Sequence, residues 1–441
     1  YSSCSEVAAD NTNGETAPPN VIVILCDDLG YGDLSCQGSP NIVTPNIDAL
    51  ASQGARLTSF YSAGPVCTPS RKGMLTGRFA ARIKADGNDN QAGRTGGMSQ
   101  NEITLGDLFK NAGYATACIG KWDVGMAQGS HPNDQGFDYY YGTRSSNDHF
   151  IQNGFEYNYD WFKKAVDSNF NLPLYRQRDT IEIPARQSLF TKRYTDEAIK
   201  WITDHKSKPF FLYLAHNMPH VPVFASEGFA GKSKGGRYGD VVEELDWSVG
   251  EIMKTIQSQG LDNTLVIFTS DNGAWRIYYE LGGSEGPFRN GKGTPWEGGH
   301  RVPAIFWWPN NIKPVVTSSM ASNIDLFSTF TALLGRSPDS ARKYDSYNLL
   351  PMLTEGKESP RTSFYYFSEV HNDLWAVRRD NYKLIVTTVD YHRAPPVQQN
   401  PPLLYNLEDD PSETHDVAAE HPEIVQQLLD IFNKMNNDLK K

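Results

Sequence analysis

Apolar residues fall into short continuous runs separated by longer stretches with helical spacing. Residues 20–26 read N-V-I-V-I-L-C. A β-branched run without polar alternation is the pattern of a strand covered on both faces of a parallel sheet. Residues 115–119, 210–214, 264–269 and 302–307 repeat that pattern, and residues 45–53, 105–111, 195–204 and 241–259 carry helical periodicity. Strands alternating with helices predict an α/β fold with a doubly wound, mostly parallel sheet. In such sheets ligands bind beyond the carboxyl ends of the strands.

After about residue 353 the texture changes. Residues 363–368, 375–379 and 382–387 read as short antiparallel strands, and a helix over 420–439 closes the chain. The pattern divides the chain into a polar tether (1–19), a main α/β domain (20–353) and a smaller C-terminal α+β domain (354–441). A length of 441 residues suits more than one domain.

Composition adds boundaries. With 39% hydrophobic and 21% charged residues the chain has a soluble globular make-up. A net charge of −11 without a basic stripe argues against a nucleic-acid partner. Any anionic ligand must then meet a local cationic pocket, because salt screens the rest within roughly 8–10 Å. No apolar run is long enough to span a bilayer. Cys4, Cys26, Cys36, Cys67 and Cys118 form an odd set and no disulfide framework; Cys26 and Cys118 lie in or beside apolar strands and read as buried thiols. The polar opening resembles what remains after a signal peptide. That predicts an exported protein, periplasmic or at the cell surface. Cys4 is either a lipid-acylation site or an incidental terminal cysteine.

Two polar pairs follow strands: Asp27 and Asp28 after the first, and Asp271 and Asn272 after 264–269. Three carboxylates and an amide oxygen make a hard, all-oxygen set suited to calcium or magnesium rather than zinc. One pair alone would read as an Asx turn or helix cap; two pairs at two strand ends favour a metal. In C-T-P-S-R, residues 67–71, Thr68 can cap a helix whose first residue is Pro69. Residue 67 would then sit at the positive end of the helix dipole, where an unmodified thiol would have a lowered pKa.

C-T-P-S-R resembles C-x-P-S-R, the signature read by formylglycine-generating machinery in type I sulfatases, arylsulfatase-like members of the alkaline phosphatase superfamily. T-G-R at 76–78 fits as well. N-V-I-V-I-L-C-D-D-L-G-Y-G-D resembles that family's first strand and metal loop, and S-D-N-G at 270–273 its second metal loop. G-K-W-D-V-G at 120–125 is similar to G-K-W-H-x-G, and N-M-P-H-V-P at 217–222 to P-H-x-P. R-N-G-K-G-T-P-W-E-G-G-H-R-V-P at 289–303 and L-Y-N-L-E-D-D-P-S-E at 404–413 resemble later blocks in family order.

The resemblance implies a sulfatase acting on a sulfate ester, with a sulfated carbohydrate as the expected substrate; the chain's 12% aromatic residues would serve sugar stacking but suit a well-packed core better. Asp27, Asp28, Asp271 and Asn272 would hold one Ca²⁺, with Mg²⁺ the alternative. Cys67, oxidised to formylglycine by a maturation enzyme and hydrated, would be the nucleophile. Arg71 would orient it, and Lys121, His220 and Lys292 would hold the sulfate oxygens and leaving group. An alkyl hydroxyl needs such activation at neutral pH, and the second hydroxyl of the hydrate provides the exit that a serine lacks. Ca²⁺ with three cations and three carboxylates leaves an excess of two positive charges, suited to a monoanionic ester.

Asp123 stands where the family pattern has His. It reduces that excess by one and lowers the reference pKa of a base there from about 6.5 to about 3.9. Either Asp123 takes the proton from the diol, being on the same side of an extended segment as Lys121, or it turns away to partner Lys121. For substrate contacts the sequence offers the polar loop Arg144-Ser145-Ser146-Asn147-Asp148-His149, with Arg144, Asn147, Asp148 and His149 singled out, Trp275 and Arg276 with Tyr278 and Tyr279 as either a sugar platform or ordinary surface packing, and His371 from the second domain. His205, His392, His415 and His421 read as surface residues. A phosphate or phosphonate ester hydrolase and a non-catalytic binder of sulfated glycans are the competing functions. The first would favour a larger cationic excess, and the intact oxidation signal argues against the second.

Overall fold

The computed structural model describes residues 18–83, 85–86, 96–151, 158–369 and 373–440; Cys4 and His371 lie outside them. A ten-stranded sheet runs in the order Val315–Thr317, Ala55–Leu57, Ala304–Trp307, Thr264–Ser270, Asn20–Asp27, Phe210–Pro219, Ala115–Lys121, Tyr139–Thr143, Leu174–Arg176 and Asp179–Glu182. From Thr264–Ser270 through Tyr139–Thr143 every neighbour is parallel. Ala304–Trp307, whose apolar run resembles the others, is antiparallel to Thr264–Ser270. A strand buried on both faces gives the same pattern in either direction, so the sequence could not tell them apart. The additional edge strands are too short or too polar to read.

The first strand shows why the sheet must be covered twice. Ile22, Ile24 and Cys26 enter one core with residues of the helices Pro45–Gln53, Phe190–His205 and Gly236–Ser258. Val21, Val23 and Leu25 point the other way, into a core with Met74, Leu75, Phe109 and Phe330. The period-two alternation thus feeds two hydrophobic layers rather than one layer and solvent. All eight residues of Asn20–Asp27 are buried.

The C-terminal part is a four-stranded antiparallel sheet, Ser363–Phe367, Leu374–Arg379, Tyr382–Thr388 and Val397–Asn406, with the helix Pro422–Leu439 packed beside it. The last strand contains Pro401 and Pro402 and reads as a loop in sequence. It lies at the sheet edge, where a missing N–H costs no ladder bond. The helix Leu350–Glu355 crosses the expected division at 353/354. Tyr61, Phe79 and Trp296 share one hydrophobic cluster with Phe364, Tyr366 and Leu384. Among the described residues no helix is long and apolar enough to cross a membrane.

Glu297 ties the two parts together. Its carboxylate accepts from Tyr61 Oη at 2.5 Å, Tyr366 Oη at 2.7 Å and Lys383 Nζ at 3.0 Å. Lys383 also meets Glu413 at 2.7 Å, and its side chain is fully buried. Burial opposes ionisation of Glu297, yet Lys383, Arg301 and Arg378 hold its carboxyl well below the usual range. A depressed folded pKa means that its stabilisation is present above the unfolded value of about 4.3 and lost as pH falls through the folded one. Glu297→Ala leaves Lys383 short of a partner, and chemical denaturation near neutral pH should show a loss of about 3–5 kcal/mol. A loss under about 1 kcal/mol would refute this linkage.

Candidate active site

Four adjacent parallel strands end along one edge, and that edge assembles the site. Thr264–Ser270 delivers Asp271 and Asn272, Asn20–Asp27 delivers Asp27 and Asp28, Phe210–Pro219 delivers His220, and Ala115–Lys121 delivers Lys121. The two polar pairs converge as their positions predict. Asp28 donates its backbone N–H to Asp271 Oδ1 at 3.2 Å, and the Asn272 amide donates to Asp28 Oδ1 at 2.7 Å. All four side chains are buried.

Cys67 is the first residue of the helix Cys67–Thr76, and extended Val66 is its cap. This corrects the expectation of a cap at Thr68. The Ser70 N–H already bonds Val66 O at 3.3 Å, so the helical ladder starts earlier than the Pro69 signal suggests. Cys67 Sγ lies 3.2 Å from Asp27 Oδ1, 3.4 Å from Lys292 Nζ and 4.0 Å from Asp28 Oδ1. The expected low thiol pKa is also corrected. Burial and then Asp27 push the thiol well up, overcoming Lys121 and Lys292, and one helix terminus does not offset that desolvation.

The cations interleave with the carboxylates. Arg71 Nε meets Asp271 Oδ2 at 2.8 Å, and Arg71 Nη1 donates to Lys121 O at 2.6 Å. Lys121 Nζ lies 2.6 Å from Asp27 Oδ2, and Lys292 Nζ lies 2.7 and 2.8 Å from the two oxygens of Asp28. Burial alone would discharge these lysines; Asp123 and Asp27 for Lys121, and Asp28 for Lys292, raise their pKa values instead. Burial nevertheless raises Asp28 to about 7. His220 Nε2 is 3.6 Å from Asp28 Oδ2 and 3.4 Å from Ser146 Oγ. Burial, with Lys292 and Lys121 nearby, drives its pKa well down, so the ring is neutral at pH 7.

Asp123 is buried with φ of 55°, so the segment after Lys121 is not extended and the alternation argument does not apply. Its carboxylate still approaches Lys121, at 3.5 Å, and accepts from Thr68 Oγ1 at 3.4 Å. Ser146, in the polar loop expected at the pocket mouth but not singled out there, contacts both Lys121 at 3.3 Å and His220; serine carries no spacing signal that could single it out.

The substrate-contact candidates separate. Asn147 donates to His220 O at 3.1 Å and so braces the loop of that histidine. Asp148 is buried beside His149. His149 Nε2 is 3.9 Å from Asp148 Oδ1. Arg144 is half-buried and donates to Gly125 O at 3.4 Å. Trp275 and Tyr278 are buried rather than an open platform: the Trp275 ring packs against Tyr278 at 4.8 Å and His220 at 5.2 Å, with Lys292 Nζ 4.3 Å from its centroid. Arg276 and Tyr279 are exposed. His392, read as a surface residue, is buried against Trp275 with ring centroids 5.0 Å apart. It is brought there by a loop between C-terminal strands, a contact that local sequence does not encode.

The donor set fits a hard divalent cation. Asn272 Oδ1 is buried without a hydrogen-bond partner, beside three buried carboxylates. One ligand atom each from Asp27, Asp28, Cys67 and His220 also lies within 4.8 Å of the others. Asp27 and Asp28 are common to both groupings. The oxygen set supplies more charge than a neutral ring and a protonated thiol would.

Residues 19–336 match the sulfatase family, and residues 359–441 match the C-terminal region of aryl-sulfatase. The chain is 41% identical over 391 residues to N-acetylgalactosamine-6-sulfatase of Mus musculus, covering 84% of this chain and 72% of that protein. It is 36% identical over 442 residues to human arylsulfatase A, covering 93% and 86%. The PsFucS1 sulfatase structure from Pseudoalteromonas sp. superposes with a TM-score of 0.83 at 29% identity, covering 96% of this chain and 91% of that one.

Lys121 reaches Asp27 only because Gly120 lets two strands close. Gly120 has φ of 110°, and a Cβ there would sit 1.8 Å from Ala215 O. Gly120→Ala should destabilise the fold by about 3 kcal/mol through overpacking and an unfavourable φ, read as a lowered denaturation midpoint. An unchanged midpoint would show that the strands can part freely at this point.

Proposed function

This chain belongs to the sulfatase family and is a sulfuric ester hydrolase; from that premise we propose that it cleaves sulfate esters of a carbohydrate, using a formylglycine made from Cys67 and one calcium ion. The observation that carries the reading is the setting of Cys67. It starts a buried helix, with Asp27 and Lys292 both within 3.4 Å of its sulfur. Likeness to an N-acetylgalactosamine-6-sulfatase supports a sulfated sugar as substrate.

Asp27, Asp28, Asp271 and Asn272 would hold the ion, which would polarise a sulfate oxygen and lower the pKa of a neighbouring hydroxyl. The hydrated aldehyde at residue 67 would supply one hydroxyl to displace the alcohol and a second whose deprotonation releases sulfate. Arg71 is fixed by Asp271 and the Lys121 carbonyl, so its guanidinium orients the nucleophile without moving. Lys121 and Lys292 flank Cys67 and bind the sulfate oxygens as charge shifts in the transition state. Neutral His220 gives its Nδ1–H to Val221 O, so Nε2, beside Ser146 and Asp28, is an acceptor and would orient the leaving side of the substrate by accepting from one of its hydroxyls. Asp123 acts through Lys121, holding that amine and trimming the cationic excess. Its contacts with Lys121 and Thr68 favour this role over that of base.

Cys67→Ser cannot become an aldehyde. Produced beside the parent with a co-expressed maturation enzyme, it should keep the parent's melting temperature yet free no more than one desulfated sugar per chain from 6-sulfated N-acetylgalactosamine, the sulfate staying on the serine. Multiple turnover by this variant would overturn the mechanism. Lys292→Ala removes one desolvated cation and should lower kcat/KM roughly 10²–10³-fold; a near-parent value would remove Lys292 from the sulfate site.

Asp123→Asn should lower kcat while leaving the acid limb of the pH–rate profile in place, because its carboxylate is not the group that takes the proton. It should also tighten inhibition by free sulfate, since one negative charge is lost beside Lys121. A shifted acid limb would make Asp123 the base instead.

A further inference from the structure

Two loops carry the oxygen ligands, and one side chain spans them. Glu285 is buried, with 1% of its surface exposed. Its Oε2 accepts the backbone N–H of Tyr31 at 3.1 Å, three residues after Asp28, and its Oε1 accepts the backbone N–H of Ala274, two residues after Asn272. The surroundings leave no slack. A Cβ on Gly273 would sit 1.8 Å from Gly298 O and 2.7 Å from Glu285 Oε1. Asp33 closes the other side: Oδ2 accepts Gly30 N at 2.9 Å and Tyr238 Oη at 2.6 Å, and Oδ1 accepts Ser284 N at 2.9 Å, next to Glu285. The Gly32 N–H returns a bond to Ser284 O at 2.9 Å.

We propose that Glu285 is a positioning residue for the metal centre: its single carboxylate clamps the 27–33 loop to the 271–274 loop and sets the spacing of Asp28 and Asn272 on which cation affinity depends. The proposal rests on the calcium reading above. A carboxylate suits the task because both oxygens accept, whereas an amide offers one acceptor and would turn an N–H toward a second N–H. Partners one layer behind a metal's ligands influence affinity by orienting those ligands, and their loss typically weakens binding 10- to 100-fold.

The test is calorimetric titration of Ca²⁺ into the full-length, chelator-stripped chain, with far-UV circular dichroism and melting of the same samples. Asp246→Asn is the control. Asp246 is a buried carboxylate that accepts the backbone N–H groups of Asn46 and Ile47 at 2.9 and 2.8 Å, capping another helix. It should lower the melting temperature and leave the Ca²⁺ dissociation constant at the parent value. Glu285→Gln should raise that constant roughly 10- to 100-fold with parent-like circular dichroism. Glu285→Asp, too short to bridge both N–H groups, should do the same and carries the comparison should the glutamine variant not fold. Parent-like Ca²⁺ affinity in a folded Glu285 variant would overturn the positioning role while leaving the calcium site standing. Absence of Ca²⁺ binding by the parent would overturn both.

Discussion

The site depends on burying opposite charges at one edge of the sheet. Asp27, Asp28 and Asp271 are removed from water there together with Arg71, Lys121 and Lys292. Each charge would be costly alone, and removing one partner of such a set leaves another uncompensated. Distances of 2.6 to 2.8 Å between amines or guanidinium and carboxylates show how the cost is offset. The same arrangement keeps the cations charged in a desolvated pocket, where they act most strongly on an anionic ester. A buried lysine without its aspartate would discharge; an aspartate cluster without its lysines would take up protons.

That balance requires backbone control. Two loops must present Asp28 and Asn272 to the same small volume, and the layer behind them supplies the stiffness. Asp33, Tyr238, Glu285 and the close-packed glycines hold loop to loop through backbone groups. Gly120 allows the strand carrying Lys121 to approach its neighbour. The C-terminal sheet is bound into the same body through Glu297 and Lys383, and one of its loops brings His392 against Trp275. The wall of the pocket therefore draws on residues more than a hundred positions apart in the chain.

Much of this was legible in one dimension. Continuous apolar runs marked the central strands because both faces of each are buried, and polar pairs immediately after such runs marked the sheet edge where a site forms. C-T-P-S-R, the two loops expected to hold metal and the later blocks supplied the family resemblance and with it the expected positions of nucleophile and cations. All of Asp27, Asp28, Cys67, Arg71, Lys121, His220, Asp271, Asn272 and Lys292 come together in one cluster. These signals survive in sequence because each combines residue type with a local strand or helix boundary.

What failed were expectations that depend on surroundings. The burial of Trp275, Tyr278 and His392 and the high pKa of the Cys67 thiol are set by what packs against them; the direction of Ala304–Trp307, on which its apolar run is silent, is set the same way. Pro401 and Pro402 hid a strand because only its edge position makes them tolerable. Ser146 and Glu285 carry no motif at all; their roles arise from the atoms they reach across loops. The sequence by itself determined the order of elements and the chemical identity of the groups at the strand ends, since both follow from local pattern and residue type. Tertiary structure alone decided desolvation, charge state and mutual distance, because those depend on long-range neighbours and vary steeply over a few ångströms.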